Sequence, residues 1–255
     1  MLTGAVNGMM KSRFIRGIAS TVVVLTLGSL PGSAGGPPSD TTGGTASVKG
    51  TVKLNGAIPS QKPINMTSDP ACARQHNAAV PGEEIVADKK GNLQNVVVFV
   101  SDGLGDHTFD VPTEPAVIQQ KGCVYLPHVL ALRVNQKLQV LNNDACTHNI
   151  HPQPVNNREW NKAQVPASTA EATFAREEVG IPLKCNVHPW MRAYLAVFKH
   201  PYFAVTGKDG SFDLSNLPPG TYTIEAWHEK FGTSIQKITV GANETKTIDF
   251  VFKSL

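Results

Sequence analysis

Cys185-Asn186-Val187-His188-Pro189-Trp190-Met191 is the stretch from which the rest of the chain is read. A thiol, an imidazole and a thioether stand at every third position of one short loop. Thiolate and thioether are soft donors that suit copper, and two His, one Cys and a weak axial Met complete a mononuclear copper site. The loop carries all of these but the second His. Asn142-Asn143-Asp144-Ala145-Cys146-Thr147-His148-Asn149-Ile150-His151 offers one, and His148 is the best candidate.

Strand signals surround both segments. Leu130, Leu132 and Val134 alternate with other residues, Asn135-Gln136 makes a turn, and Leu138 and Val140 resume the alternation just before His148. Glu171 to Ile181 reads as one strand leading into Cys185, and Tyr194 to Phe198 as the strand leaving it. Further out, Val48, Val52 and Leu54 alternate up to an Asn55-Gly56 turn, and Asn95 to Val100 is a continuous apolar run of strand length. From residue 46 onward no long, capped helical period occurs, and 22 Gly and 18 Pro favour many short strands. The expected class is all-β, with both ligand segments at strand ends, where a sheet holds a loop in place.

The 255 residues allow two modest domains or one large one. Residues 1–34 read as a signal peptide: Lys11, Arg13 and Arg16 precede an apolar stretch from Ile18 to Leu27, and Gly32-Ser33-Ala34 is a small-residue cleavage site. The apolar run is too short to span a bilayer, so no membrane span is expected after its removal. Residues 35–45 have the composition of a flexible linker. The 23 Lys and Arg against 20 acids include three bases in the signal segment, so the mature chain is near neutral and carries no footprint for nucleic acid. Export to the periplasm or outside the cell places the cysteines in an oxidising compartment. With Cys185 assigned to metal, three cysteines remain, enough for one bridge and one thiol; Cys72–Cys123 is the favoured pair. Cys146, two residues from His148, stays open as a structural thiol near the metal or as a partner of Cys72 or Cys123.

The Cys-x2-His-x2-Met spacing, with His-Asn-x-His upstream, resembles the cupredoxins, most closely the amicyanin and pseudoazurin forms, over about residues 113 to 200. That resemblance implies a type 1 (blue) copper centre with Cys185, His148 and His188 as ligands and Met191 as the long axial ligand. It implies that Asn149 ties the two ligand loops together, and that redox partners dock near a solvent-edge His188. His151 is read as a neighbour that supports the ligands. Trp190 is either a core residue or part of an apolar collar around His188. Val205–Phe212, with Asp209-Gly210-Ser211-Phe212, and Pro219-Gly220-Thr221-Tyr222 resemble the carboxypeptidase regulatory-like, or prealbumin-like, module. Such modules open with strands like those at 48–54 and 95–100. Their order suggests a cupredoxin Greek-key β-sandwich at 108–200 inserted between the two parts, 46–107 and 201–255, of a smaller β-sandwich.

The function these readings imply is transfer of single electrons by one bound copper, with no enzymatic chemistry: no acid–base pair, nucleophile triad or phosphate-cradling loop occurs. The rivals are a copper storage or delivery protein, and an interaction module with an accessory copper site. His128 is read as structural. Trp227-His228-Glu229 offers His228 and Glu229 as a weak option for a second metal.

Overall fold

A computed structural model describes residues 44–254; the expected signal peptide, and the linker up to residue 43, lie outside the described residues. Among the described residues the structure is nearly all β. The first part of the chain contributes β1 (Ala46–Asn55), a single four-residue helix α1 (Pro70–Ala73) and β2 (Val97–Asp102). The middle contributes β3 (Ala116–Gln120), β4 (Tyr125–Leu126), β5 (Val129–Arg133), β6 (Leu138–Asn142), β7 (His148–Pro152), β8 (Lys162–Gln164), β9 (Thr169–Ala172), β10 (Glu178–Lys184) and β11 (Arg192–Phe198). The last part contributes β12 (Phe203–Val205), β13 (Ser211–Leu217), β14 (Gly220–His228), β15 (Gly232–Val240), β16 (Thr245–Thr247) and β17 (Phe250–Lys253).

Strands from the two ends of the chain pair with one another. One sheet runs β13-β1-β16, with β17 also on β1, and another runs β12-β2-β14-β15. β1 serves two parallel partners in succession: Ser47–Lys49 faces β16 and Val52–Asn55 faces β17. Gly50 stands at the changeover, where a Cβ would lie 1.6 Å from the carbonyl oxygen of Ile248. The inward residues of these sheets, among them Val48, Leu54, Val98, Ile224 and Phe250, form one buried core.

Strands from the middle make two more sheets, β5-β11-β10-β7-β8 and β4-β3-β6-β9. Ile118, Leu138, Val140, Ile150, Ile181, Leu183 and Leu195 fill the core between them, together with Cys185 and Met191. A third cluster explains why residues 95–100 do not alternate. Val98 and Val100 point into the first core, while Val97 and Phe99 pack on Val129, Ala196 and Phe198 of the middle sheets. A strand buried on both faces reads as a continuous apolar run.

The strand expected from Glu171 to Ile181 is two strands instead. β9 ends at Ala172 and pairs with β6; β10 starts at Glu178 and pairs with β11 and β7. Between them Phe174, 1% exposed, enters the core as the chain crosses from one sheet of the sandwich to the other. No Gly, Pro, Asn or Asp stands between Ala172 and Glu178, so the crossing has no turn signal in the sequence. The topology sets the candidate ligands close together: His148 opens β7, Cys185 follows β10, and Met191 precedes β11, next to β10 in the same sheet.

Candidate metal centre

The loop around His148 is built by short polar side chains. Asn142 Nδ2 donates to the carbonyls of Cys146, Gln164 and Val165 at 2.9, 3.0 and 3.1 Å, and its Oδ1 accepts from the Asp144 amide. Asn and Asp bond readily to nearby backbone, which gives an irregular loop one fixed path. Asp144 then accepts from the amides of Gly122 and Cys123 at 2.6 and 2.8 Å, and from His148 Nε2 at 2.8 Å.

The Cys185 loop closes on itself and on β7. The amides of Cys185 and Met191 bond to the carbonyls of Met191 and His188, respectively, and the His188 amide lies 3.4 Å from Cys185 Sγ. Asn149 Oδ1 accepts from the amides of Asn186 and Val187 at 2.6 and 3.4 Å, tying the two ligand segments together. His151 bonds Asn186 Oδ1 at 3.1 Å and Glu159 at 2.6 Å. The Tyr125 hydroxyl donates to the carbonyls of Asn149 and Lys184, so it anchors both segments from below.

His148, Cys185 and His188 converge, with donor atoms within 4.8 Å of one another. The two Nδ1 atoms face each other at 2.9 Å, and Cys185 Sγ lies 3.9 Å from His188 Nδ1. Each Nε2 is taken by a carboxylate: Asp144 on His148, and Asp69 on His188 at 3.0 Å. Those partners favour a proton on each Nε2 and turn both Nδ1 atoms inward, the arrangement by which carboxylates orient metal-binding imidazoles. Met191 is 1% exposed and belongs to the same buried cluster as Cys185. A buried thiol and two inward imidazole nitrogens form a donor set that fits a soft metal ion.

The electrostatics of the metal-free site follow from the same contacts. Burial works against a charged His148, but the bonds to Asp144 and Cys185 outweigh it and raise its pKa to about 9. Burial opposes ionisation of Cys185, yet His148 and the surrounding hydrogen bonds bring the thiol down to about 7. Asp144 follows the same logic: burial pushes its carboxyl up, and His148 and the two amides hold it below the usual range.

The solvent-edge position expected for His188 is not what the structure shows. His188 is 2% exposed, covered by Asp69 and by Cys72, whose Sγ is 3.5 Å from Nε2. Asp69 caps α1 by accepting from the amides of Ala71 and Cys72. The polar segment between β1 and β2 thus lies over the imidazole edge, a long-range placement that the loop sequence does not announce. Trp190 is partly buried with its ring 5.0 Å from His188, and Nε1 donates to the Cys123 carbonyl. Exposed Val187 and Pro189 flank the covered His188 along the loop.

Cys72 and Cys123 form a disulfide, and Cys146 and Cys185 are free. Asp69, Asp144 and Tyr125 are the functional neighbours that sequence reading passed over. The signal for Asp69 was present as Asp-Pro-Ala-Cys, a capping Asp before a helix-opening Pro. His228 and Glu229 do not share a site. His228 is buried against Phe231 and Phe252, and burial, then the charges of His128 and Lys230, push its pKa down to about 4. Glu229 points instead to the buried ring of His128. Adjacent strand residues face opposite ways.

Residues 191–253 match the family model of the carboxypeptidase regulatory-like domain. A search of curated proteins found no match. Among solved structures, a purple cupredoxin from Nitrosopumilus maritimus aligns at 24% identity and a TM-score of 0.29, over 32% of this chain and 98% of that one. An amicyanin in the reduced state aligns at 18% identity and TM-score 0.31, over 39% of this chain and 97% of its own. A copper-containing nitrite reductase from Thermus scotoductus SA-01 aligns at 16% and 0.32, over 39% of this chain; the chain spans only 26% of that protein's length. The family-model match is the counterpart of the carboxypeptidase regulatory-like resemblance read from the sequence.

Proposed function

We propose that this chain is an exported carrier of single electrons, holding one type 1 copper ion with His148, His188, Cys185 and Met191 and performing no bond-making chemistry of its own. The observation that carries this reading is the pair of inward Nδ1 atoms beside Cys185 Sγ, with each Nε2 bonded to a carboxylate. When bound, copper supplies the one-electron couple. The chain's part is to hold the donors still: Asn149 ties the loops, Asp144 and Asp69 fix both rings, and the sandwich core buries the thiol. Ligands so constrained move little between oxidation states, and hydrogen bonds to sulfur tune the potential.

Burial favours electron transfer over storage or delivery. His148, Cys185 and His188 are 0%, 3% and 2% exposed, so an acceptor protein has no open path to the ligands. Redox partners dock near His188, over Val187 and Pro189, rather than on the ring edge. The chain divides into a copper-binding sandwich at 108–200 inserted in a carboxypeptidase regulatory-like scaffold. Export follows from residues 1–34; among the described residues no helix is long and apolar enough to cross a membrane.

The test is optical. The Cu(II)-loaded protein is expected to show a strong visible thiolate-to-copper band that Cys185→Ser abolishes. A colourless copper-loaded wild type rejects the reading.

A further inference from the structure

Three sulfur atoms line one side of the two imidazoles. Cys72 and Cys123 are joined and fully buried. Cys146, free and partly exposed, places its Sγ 3.6 Å from Cys123 Sγ, at contact distance. The same Cys146 Sγ is 3.6 Å from His148 Nε2, while Cys72 Sγ is 3.5 Å from His188 Nε2.

We propose that Cys72, Cys123 and Cys146 are a thiol–disulfide exchange site whose outside substrate is a soluble thiol or dithiol. In the internal step the Cys146 thiol gives up its proton and its sulfur attacks Cys123 Sγ. The Cys72–Cys123 bond breaks, a Cys123–Cys146 bond forms, and Cys72 leaves as a thiolate that takes up a proton. No electron is gained or lost, so the step needs no oxidant or reductant. It carries the disulfide from two buried sulfurs to one that solvent reaches, and moves the free sulfur from beside His148 to beside His188. A dithiol then attacks Cys146, forms a mixed disulfide with it and releases the Cys123 thiol. The dithiol's second sulfur closes on its first and releases Cys146, leaving Cys72, Cys123 and Cys146 as thiols and an oxidised dithiol. Geometry supplies each part: exchange requires a thiol able to reach one sulfur of the bridge, and access decides which sulfur an outside thiol attacks.

The experiment uses the full chain without metal, so its outcome is independent of the copper reading. Native protein is exposed to dithiothreitol, quenched with acid, alkylated and mapped by mass spectrometry. The expected result is that the wild-type disulfide is reduced at least roughly tenfold faster than in Cys146→Ser, because access runs through Cys146. Cys72→Ser, oxidised with glutathione disulfide, is expected to contain a Cys123–Cys146 bridge. Equal reduction rates in wild type and Cys146→Ser overturn the proposal, and so does a folded Cys72→Ser in which Cys123 and Cys146 both stay alkylatable. Should Cys72→Ser fail to fold, the comparison of reduction rates decides by itself.

Discussion

Asn149 does more for the site than its neighbours in sequence suggest. Its Oδ1 takes the amides of Asn186 and Val187, and its Nδ2 donates to Asn161 Oδ1 at 2.7 Å. Asn149→Ala leaves the part-buried Asn186 amide without its acceptor, a loss worth about 0.5–1.5 kcal/mol. Thermal unfolding of the metal-free variant reads this; an unchanged Tm means the tie is not there. Asp144 holds two backbone amides and His148 from a side chain that is 1% exposed. Removing one partner of a buried pair costs about 3–5 kcal/mol, so Asp144→Ala is expected to destabilise more than Asn149→Ala. Denaturant titration of the two variants checks the order.

At the scale of elements, β10 depends on one backbone irregularity. Its pairing with β11 shifts register between Val179 and Ile181, and Gly180 between them sits at φ +80°. A Cβ there would lie 2.6 Å from the ring of Trp227 on β14, so the bulge also makes room for that indole. Gly180→Ala combines left-handed backbone with a collision and should cost at least about 1–3 kcal/mol. Urea unfolding tests it, and a variant as stable as wild type removes the bulge from the account. The β10 segment was legible as the Ile181 end of one strand running from Glu171 into Cys185, but its separation from β9 was not. No Gly, Pro, Asn or Asp stands between the two pieces, and the turn that parts them is set by Phe174 reaching the core.

At the scale of the molecule, the parts from the ends of the chain meet the middle sheets through an apolar seam and through ionic contacts. Phe198 is 2% exposed, stacks on Phe203 and packs at a tilt on Phe99, with ring centroids 4.8 Å away in each case, so Phe198→Ala should lose about 3–5 kcal/mol. Near it, buried His128 pairs with Glu229, whose other neighbour is Tyr194, while Glu83 faces the opposite ring nitrogen. Burial pulls the His128 pKa down, but Glu229 and then Glu83 outweigh it and raise it above the ordinary value. A raised folded pKa stabilises fully below the unfolded value, and that gain disappears as pH rises through the folded one. Glu229→Gln should therefore cost more stability at a pH below about 6 than at an alkaline pH above the raised folded value, where a neutral His128 has lost its attraction to Glu229. Urea midpoints of both proteins at the two pH values decide it, and a cost independent of pH contradicts the pairing.

By itself the sequence determined the all-β class and the identities of the candidate metal donors. Period-two alternation is a local consequence of the pleat, and donor softness is a property of the side chain alone. Only the tertiary structure decided what stands against those donors. Asp69 reaches His188 across 119 positions of chain, and Cys146 meets Cys123 across 23. Such contacts form because separate loops are carried to one end of a packed sandwich, and no residue of a polar loop signals where its far neighbour is. The burial of His188 has the same origin, since coverage belongs to the assembled surface and not to the motif it covers.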